Sequence, residues 1–304
     1  MLAGKMTGIC CEGKFRVRSM NKHFGKLLRM ELWKATHNTY FWITLCFGMA
    51  CAFFSGLYTV DGYFQVKDQM EIISGNPMWG IVSLYNSWMG GESESMGYAL
   101  FFFLIPLLAV FPYGWSYCVE SRSGYQKLPI LHGGRTEYFL AKYIAVFIAG
   151  GCVVTLPLLI NFVGVACFVP AYQTSILYEL YYPIRHGSLW SGLFYTNPLL
   201  FVVNYLLLDF AFAGLFAVMA YAISIFTKNK IAVLLLPYIL VLILHNCRTF
   251  LQFRVYKEIS PLHFLHATCI ENRADAGIIL LEMLVLFAIS FGAIMYAGKR
   301  YEDL

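Results

Sequence analysis

The sequence predicts an all-α integral membrane protein with six transmembrane helices, both termini cytoplasmic, and an amphipathic N-terminal helix. Three observations predict it. Of the 304 residues, 13% are charged and 59% hydrophobic, and mean hydropathy is +0.63; a soluble domain carries roughly a quarter charged residues. Six runs are long and apolar enough to cross a bilayer. The lysines and arginines fall mostly on one side of those runs.

Residues 1–39 read as a cytoplasmic N-terminal segment. It is basic and has no apolar core before Tyr40, so no cleavable signal peptide is expected. The stretch before Met20 shows no periodicity, and translation is expected to begin at Met20. Over 21–36, Phe24, Leu27, Leu28, Leu32 and Ala35 share one helical face, with Lys22, Lys26 and Arg29 on the other. Such a helix is expected to lie along the inner leaflet. The plainer alternative is that its charges only set topology.

The span domain, 40–298, follows, with a cytoplasmic tail at 299–304. A bilayer core of about 30 Å needs roughly 20 apolar residues per helix. Six segments qualify: about Tyr40–Val60, Tyr98–Val119, Tyr143–Val169, Leu199–Phe226, Ile231–Cys247 and Ala276–Gly298. Tyr40, Trp42, Tyr58, Tyr113, Trp115 and Tyr117 cluster near span ends, as interfacial aromatics do. Pro106, Pro112, Pro157 and Pro237 lie inside spans, where neighbouring helices can satisfy the freed carbonyls.

Of 22 basic residues, 16 precede the first span or lie in the second-to-third connection, the fourth-to-fifth connection and the tail. The positive-inside rule puts these segments in the cytoplasm. The net charge of +5 therefore reflects topology, and no nucleic-acid partner is expected. The nine cysteines are scattered and contain no C-x-x-C, so they form no disulfide framework.

The second-to-third connection, "VESRSGYQKLPILHGGRTEYFLAK" from Val119 to Lys142, concentrates paired charge between two apolar runs. Glu120 ends a span at the membrane surface, where pairing with Arg122 or Arg135 would neutralise it. Gly133 and Gly134 can adopt positive φ. The plainer reading is a charged loop that only fixes topology.

The order "E-S-R-S-G", an amphipathic stretch with Leu128 and Pro129, then "R-x-x-Y-F-L-x-K" resembles the type 2 ATP-binding-cassette (ABC) transporter permeases, bacterial exporters among them. The basic helix before the first span is similar to that family's connecting helix. "TNPLL" at Thr196–Leu200 resembles its entry to the fourth span, and "TKNKIAVLLLP" at Thr227–Pro237 its tight cytoplasmic turn. The chain departs in having Tyr125 where the family often has Thr, and His132–Gly133–Gly134 where it often has a Pro-containing turn.

The resemblance implies that the loop is a coupling helix seated on a separate ABC ATPase subunit. Glu120, Arg122, Gly124, Leu128, Arg135 and Lys142 would then carry ATPase coupling. It implies a multi-pass plasma-membrane exporter that works with a second permease copy or a homologous permease. The chain has no G-x-x-x-x-G-K-[ST] phosphate loop, so ATP and Mg are expected on the partner and no cofactor here. No motif reads a particular cargo, and peptides, lipids and drugs stay open as substrates.

Two acids lie inside spans, Asp209 in the fourth and Glu282 in the sixth. An intramembrane carboxyl is a candidate path or proton-carrying group. The alternative is a structural carboxyl knitting helices together, through Asn204, Tyr205 or Tyr221 for Asp209. His263, His266, Cys269 and Glu271 cluster before the last span, but their spacing is too loose to define a zinc site and no metal is assigned. Cys247 and Cys269 share one side and are able to form a bridge. Rival readings are an intramembrane enzyme using Asp209 or the histidines, and a membrane sensor or immunity module that only binds a ligand. Against the enzyme, no nucleophile–base pair is evident.

Overall fold

A computed structural model describes residues 23–72, 82–176, 182–185, 188–255, 257–268 and 274–300. Its described elements are helices: α1 (residues 23–36), α2 (Thr39–Ile72), α3 (Leu84–Ser87), α4 (Met96–Val110), α5 (Ser116–Ser123), α6 (Lys127–Gly133), α7 (Arg135–Ala166), α8 (Ser191–Thr196), α9 (Pro198–Phe226), α10 (Lys230–Val255), α11 (Pro261–Phe264) and α12 (Ala276–Arg300). The expected start at Met20 lies outside the described residues.

Among the described residues, five helices are long and apolar enough to cross a membrane: Thr39–Lys67, Arg135–Ala166, Pro198–Phe226, Lys230–Cys247 and Ala276–Ala297. The expected second span, Tyr98–Val119, is not one continuous helix. α4 has 15 residues, a rise of about 22 Å. The backbone then turns at Phe111–Trp115 before α5 begins. Pro112 supplies no backbone N–H, so the helical ladder is weakened there. The Pro112 carbonyl instead accepts from Asn38 Nδ2 at 2.9 Å. Gly114 completes the turn because a Cβ would fall 2.9 Å from the Val110 carbonyl and 3.1 Å from the Ala220 methyl.

α9 is the central helix, with 78% of its most apolar window buried. It packs most extensively on α7, and also on α4, α10 and α12. Lipid supplies no hydrophobic drive between spans, so close contact must. Gly151 of α7 receives the Phe210 ring, and Gly214 of α9 receives the Phe147 ring. Those two rings meet edge to face at 5.8 Å. A Cβ on Gly150 would lie 2.5 Å from the Ala217 methyl.

The core has two main parts. One, near the charged 119–142 stretch, gathers Ala35, Phe41, Tyr113, Tyr117, Tyr138, Tyr221 and Ile294. The other fills the opposite half with Trp88, Phe101, Phe201, Tyr205, Phe264 and Ile279. Part of the apolar face of α1, Leu27 and Ala35, therefore packs on protein, while Phe24, Leu28 and Leu32 stay half-buried.

Gly150→Val is expected to lower the thermal unfolding midpoint of the detergent-solubilised chain, because overpacking costs about 1–3 kcal/mol. Gly164→Ala, on the same helix, meets nothing within 4 Å and should leave the midpoint unchanged or slightly raised. Thermal unfolding followed by a thiol-reactive dye compares the two.

Candidate functional site

The charged stretch is built around a buried ring of alternating charge. Lys142 Nζ lies 2.5 Å from Glu120 Oε2 and 3.5 Å from Glu31 Oε2. Lys34 Nζ lies 2.9 Å from Glu31 Oε1 and 3.4 Å from Glu120 Oε1. Lys142 and Glu31 have no exposed side-chain surface. Two hydroxyls complete the site: Tyr113 donates to Glu31 Oε2 at 2.8 Å, and Tyr138 donates to Glu120 Oε2. The Lys142 ammonium also sits 5.1 Å from the Tyr113 ring centroid.

Helical spacing presents these groups. Glu31 and Lys34 stand three apart on α1, and Tyr138 and Lys142 four apart on α7, so each pair shares a face. Glu120 comes from α5 and Tyr113 from the turn that interrupts the second apolar run. The ring therefore ties α1, α5 and α7 into one unit. Burial alone would raise the Glu120 carboxyl; Lys142, Lys34 and Tyr138 outweigh it and hold it below the ordinary glutamate range. Burial alone would lower Lys34, but Glu120 and Glu31 hold it above its ordinary value.

The expected partners of Glu120 are corrected by this geometry: its ion pairs are with Lys34 and Lys142, not with Arg122 or Arg135. Arg122 Nη2 donates instead to the Lys228 carbonyl in the turn between α9 and α10. Cys118 Sγ reaches the Thr227 carbonyl of the same turn at 3.3 Å, and Lys230 lies 5.1 Å from the Trp115 ring. Arg135 opens α7.

Between α5 and α7 stands α6, seven residues long. Gly124, at φ 70°, ends α5 and Gly134, at φ 83°, separates α6 from α7; only glycine takes that region without strain. Pro129 is buried and Ile130 packs against the core beside the ring. Leu128 and Leu131 point outward, Leu131 at 80% exposure. Such an exposed apolar pair on a braced element is an interaction surface by its chemistry.

Sequence reasoning missed Glu31, Lys34, Tyr113 and Tyr138. Glu31 carried a legible signal. It falls one turn from Leu27 and one turn from Ala35, in the middle of the apolar stripe, where a lone acid requires a buried partner.

Asp209 is 1% exposed, and its Oδ1 has no hydrogen-bond partner among the described residues. The expected bonds to Tyr205 or Tyr221 are not made: Tyr205 donates to the Leu189 carbonyl at 3.4 Å, and the Tyr221 hydroxyl has no partner among the described residues. Both Glu282 carboxylate oxygens are likewise without one.

At the opposite end, His263 stacks on His245 at 5.1 Å and lies 5.8 Å from His266. Burial, then His263, lowers the His266 imidazole to about 3, so it is neutral and shares a proton with Thr268 Oγ1 at 2.6 Å. Cys269 and Glu271 lie outside the described residues. Among the described residues no group of three or more His, Cys, Asp or Glu is arranged to hold a metal ion. Cys247 is an exposed free thiol.

No protein-family model matches the chain, and no curated protein or solved structure does either.

Lys142→Met is expected to destabilise strongly, since removing one partner of a buried pair costs about 3–5 kcal/mol. Adding Glu31→Gln restores the charge balance and should recover part of the loss. A single variant as stable as the parent would sink the ring as a brace. In pH the signs are opposite. The Glu120 contribution is present above about 4.3 and lost as pH falls through its depressed folded value; the Lys34 contribution is present below about 10.4 and lost as pH rises through its raised one. The stability profile should therefore be flat across the neutral range and fall at both extremes. Asp209→Leu removes a buried carboxyl whose Oδ1 has no partner among the described residues and should raise the unfolding midpoint; a fall of several degrees would mean that the carboxyl is held by a partner.

Proposed function

We propose that this chain is the membrane-spanning permease subunit of an ATP-driven ABC exporter, coupling ATP hydrolysis on a separate ATPase subunit to substrate export. In this reading α4, the turn at 111–115 and α5 together make a sixth crossing, and the 119–142 stretch and both termini face the cytoplasm of the cell. Two permease chains, identical or homologous, pair with two ATPase subunits.

The observation that carries the reading is α6. It is hinged by two positive-φ glycines, its base is braced by the buried ring, and it offers Leu128 and Leu131 to water. A lever that passes force needs a rigid root and a contact surface, and these residues supply both. The Arg122–Lys228 contact joins α5, the helix that precedes the lever, to the α9–α10 turn, so a push that moves α5 with α6 reaches the central helix α9. The lever acts only if both ends bias the same two-state element.

The affinity-tagged chain, purified from its own membranes, is expected to carry a phosphate-loop ATPase. Burying a leucine contributes about 1.5–3 kcal/mol, so Leu131→Asp should cut the bound ATPase by at least about tenfold. Glu120→Gln should retain the ATPase but lose substrate-stimulated hydrolysis. A parent chain without any ATPase, or Leu131→Asp binding like the parent, would overturn the proposal.

A further inference from the structure

The helix α1 has a second face. Part of its apolar side is occupied by the bundle: Leu27, Glu31 and Ala35 are buried. Lys26, Arg29, Trp33 and His37 are exposed on the other side, at helical spacings of three, four and four. Trp33 is 61% exposed. Its ring stacks on His37 at 4.6 Å and 22°, and the His37 imidazole Nδ1 lies 3.1 Å from the Trp33 carbonyl. The pair is thus a preformed flat aromatic surface rather than two loose side chains.

Charge and position decide what fits there. Glu31 is the one acid between residues 23 and 38, and it faces the opposite way, held by Lys34 and Lys142. The stripe is therefore cationic with no internal counter-charge of its own. The chain enters α2 at Thr39, two residues after His37, so the stripe sits at the depth where a span begins. Exposed Tyr40, Trp42 and Ile43 continue its apolar edge onto α2. Cations beside interfacial aromatics at the mouth of a span match a lipid headgroup layer.

We propose that this stripe binds anionic phospholipid headgroups, with Lys26 and Arg29 on the phosphates and the Trp33–His37 pair at the headgroup–acyl boundary. The opposite face of the same helix builds the ring through Glu31 and Lys34. The inference rests on membrane insertion and not on the permease reading, and its test needs no ATPase.

The full chain is reconstituted into vesicles of phosphatidylcholine and phosphatidylglycerol. The fluorescence difference between the parent and Trp33→Phe isolates Trp33. Headgroup spin-labelled phosphatidylglycerol or phosphatidylcholine, at the same bulk fraction, then quenches it. Each surface cation draws anionic lipid measurably, so local enrichment of phosphatidylglycerol should be roughly tenfold. It should fall below about twofold in Lys26→Gln/Arg29→Gln, and toward that level in high salt. Neither substituted residue is in the ring, so the double variant should unfold at the parent's midpoint. Equal quenching by the two lipids, or a preference that survives the double variant, would overturn the proposal. Absence of quenching by either lipid would do so as well, and would turn attention to an acidic protein surface.

Discussion

An ammonium group with no exposed surface cannot stand without counter-charges, because the desolvation of one ion costs several kcal/mol. Lys142 is such a group. Its position one turn beyond Tyr138 on α7 draws Glu120 from α5 and Glu31 from α1 to within ion-pair distance. Lys34 then balances the second carboxylate. Two acids and two bases alternate, so no net charge is left in a low-dielectric site, and two tyrosine hydroxyls take up remaining acceptor positions. The path of the chain at this end follows from that requirement: α1 must fold back on the bundle, and the second apolar run must break before α5 to deliver Glu120.

The rest of the bundle depends on a different device. α7 and α9 approach through reciprocal glycines, each admitting a phenylalanine from the other. Small residues allow the close backbone contact on which helix association in lipid relies. The two devices meet on α7, whose first two turns carry the ring and whose middle carries Gly150 and Gly151. α6 thus adjoins, through Gly134, a helix locked against the centre of the bundle.

The opposite half is less polar and differently arranged. Trp88 is fully buried beside Phe162, and Asn161 bridges two segments by accepting from Met89 N and donating to the Ala52 carbonyl. The histidine stack closes one corner of this end. Asp209 stands apart from all of it: a buried carboxyl with an unpartnered oxygen is a cost that packing does not recover.

The sequence alone determined the solvent and the class. Hydropathy and 13% charge exclude a single soluble core, and the five long apolar helices fall where the apolar runs do, because helix formation in lipid is dictated by local composition. It also located the charged stretch and the positive-φ glycine at 134, but not the one at 124. It did not determine which charges pair. Glu120 was matched to the nearest arginines in the chain, whereas its partners lie 86 residues before it on α1 and 22 residues after it on α7. Nor did it show that the second apolar run breaks at Pro112, or that α1 turns part of its apolar face to protein. Those outcomes were decided by tertiary packing, because a buried charge selects its partner by distance in space, and composition and periodicity carry no record of that distance.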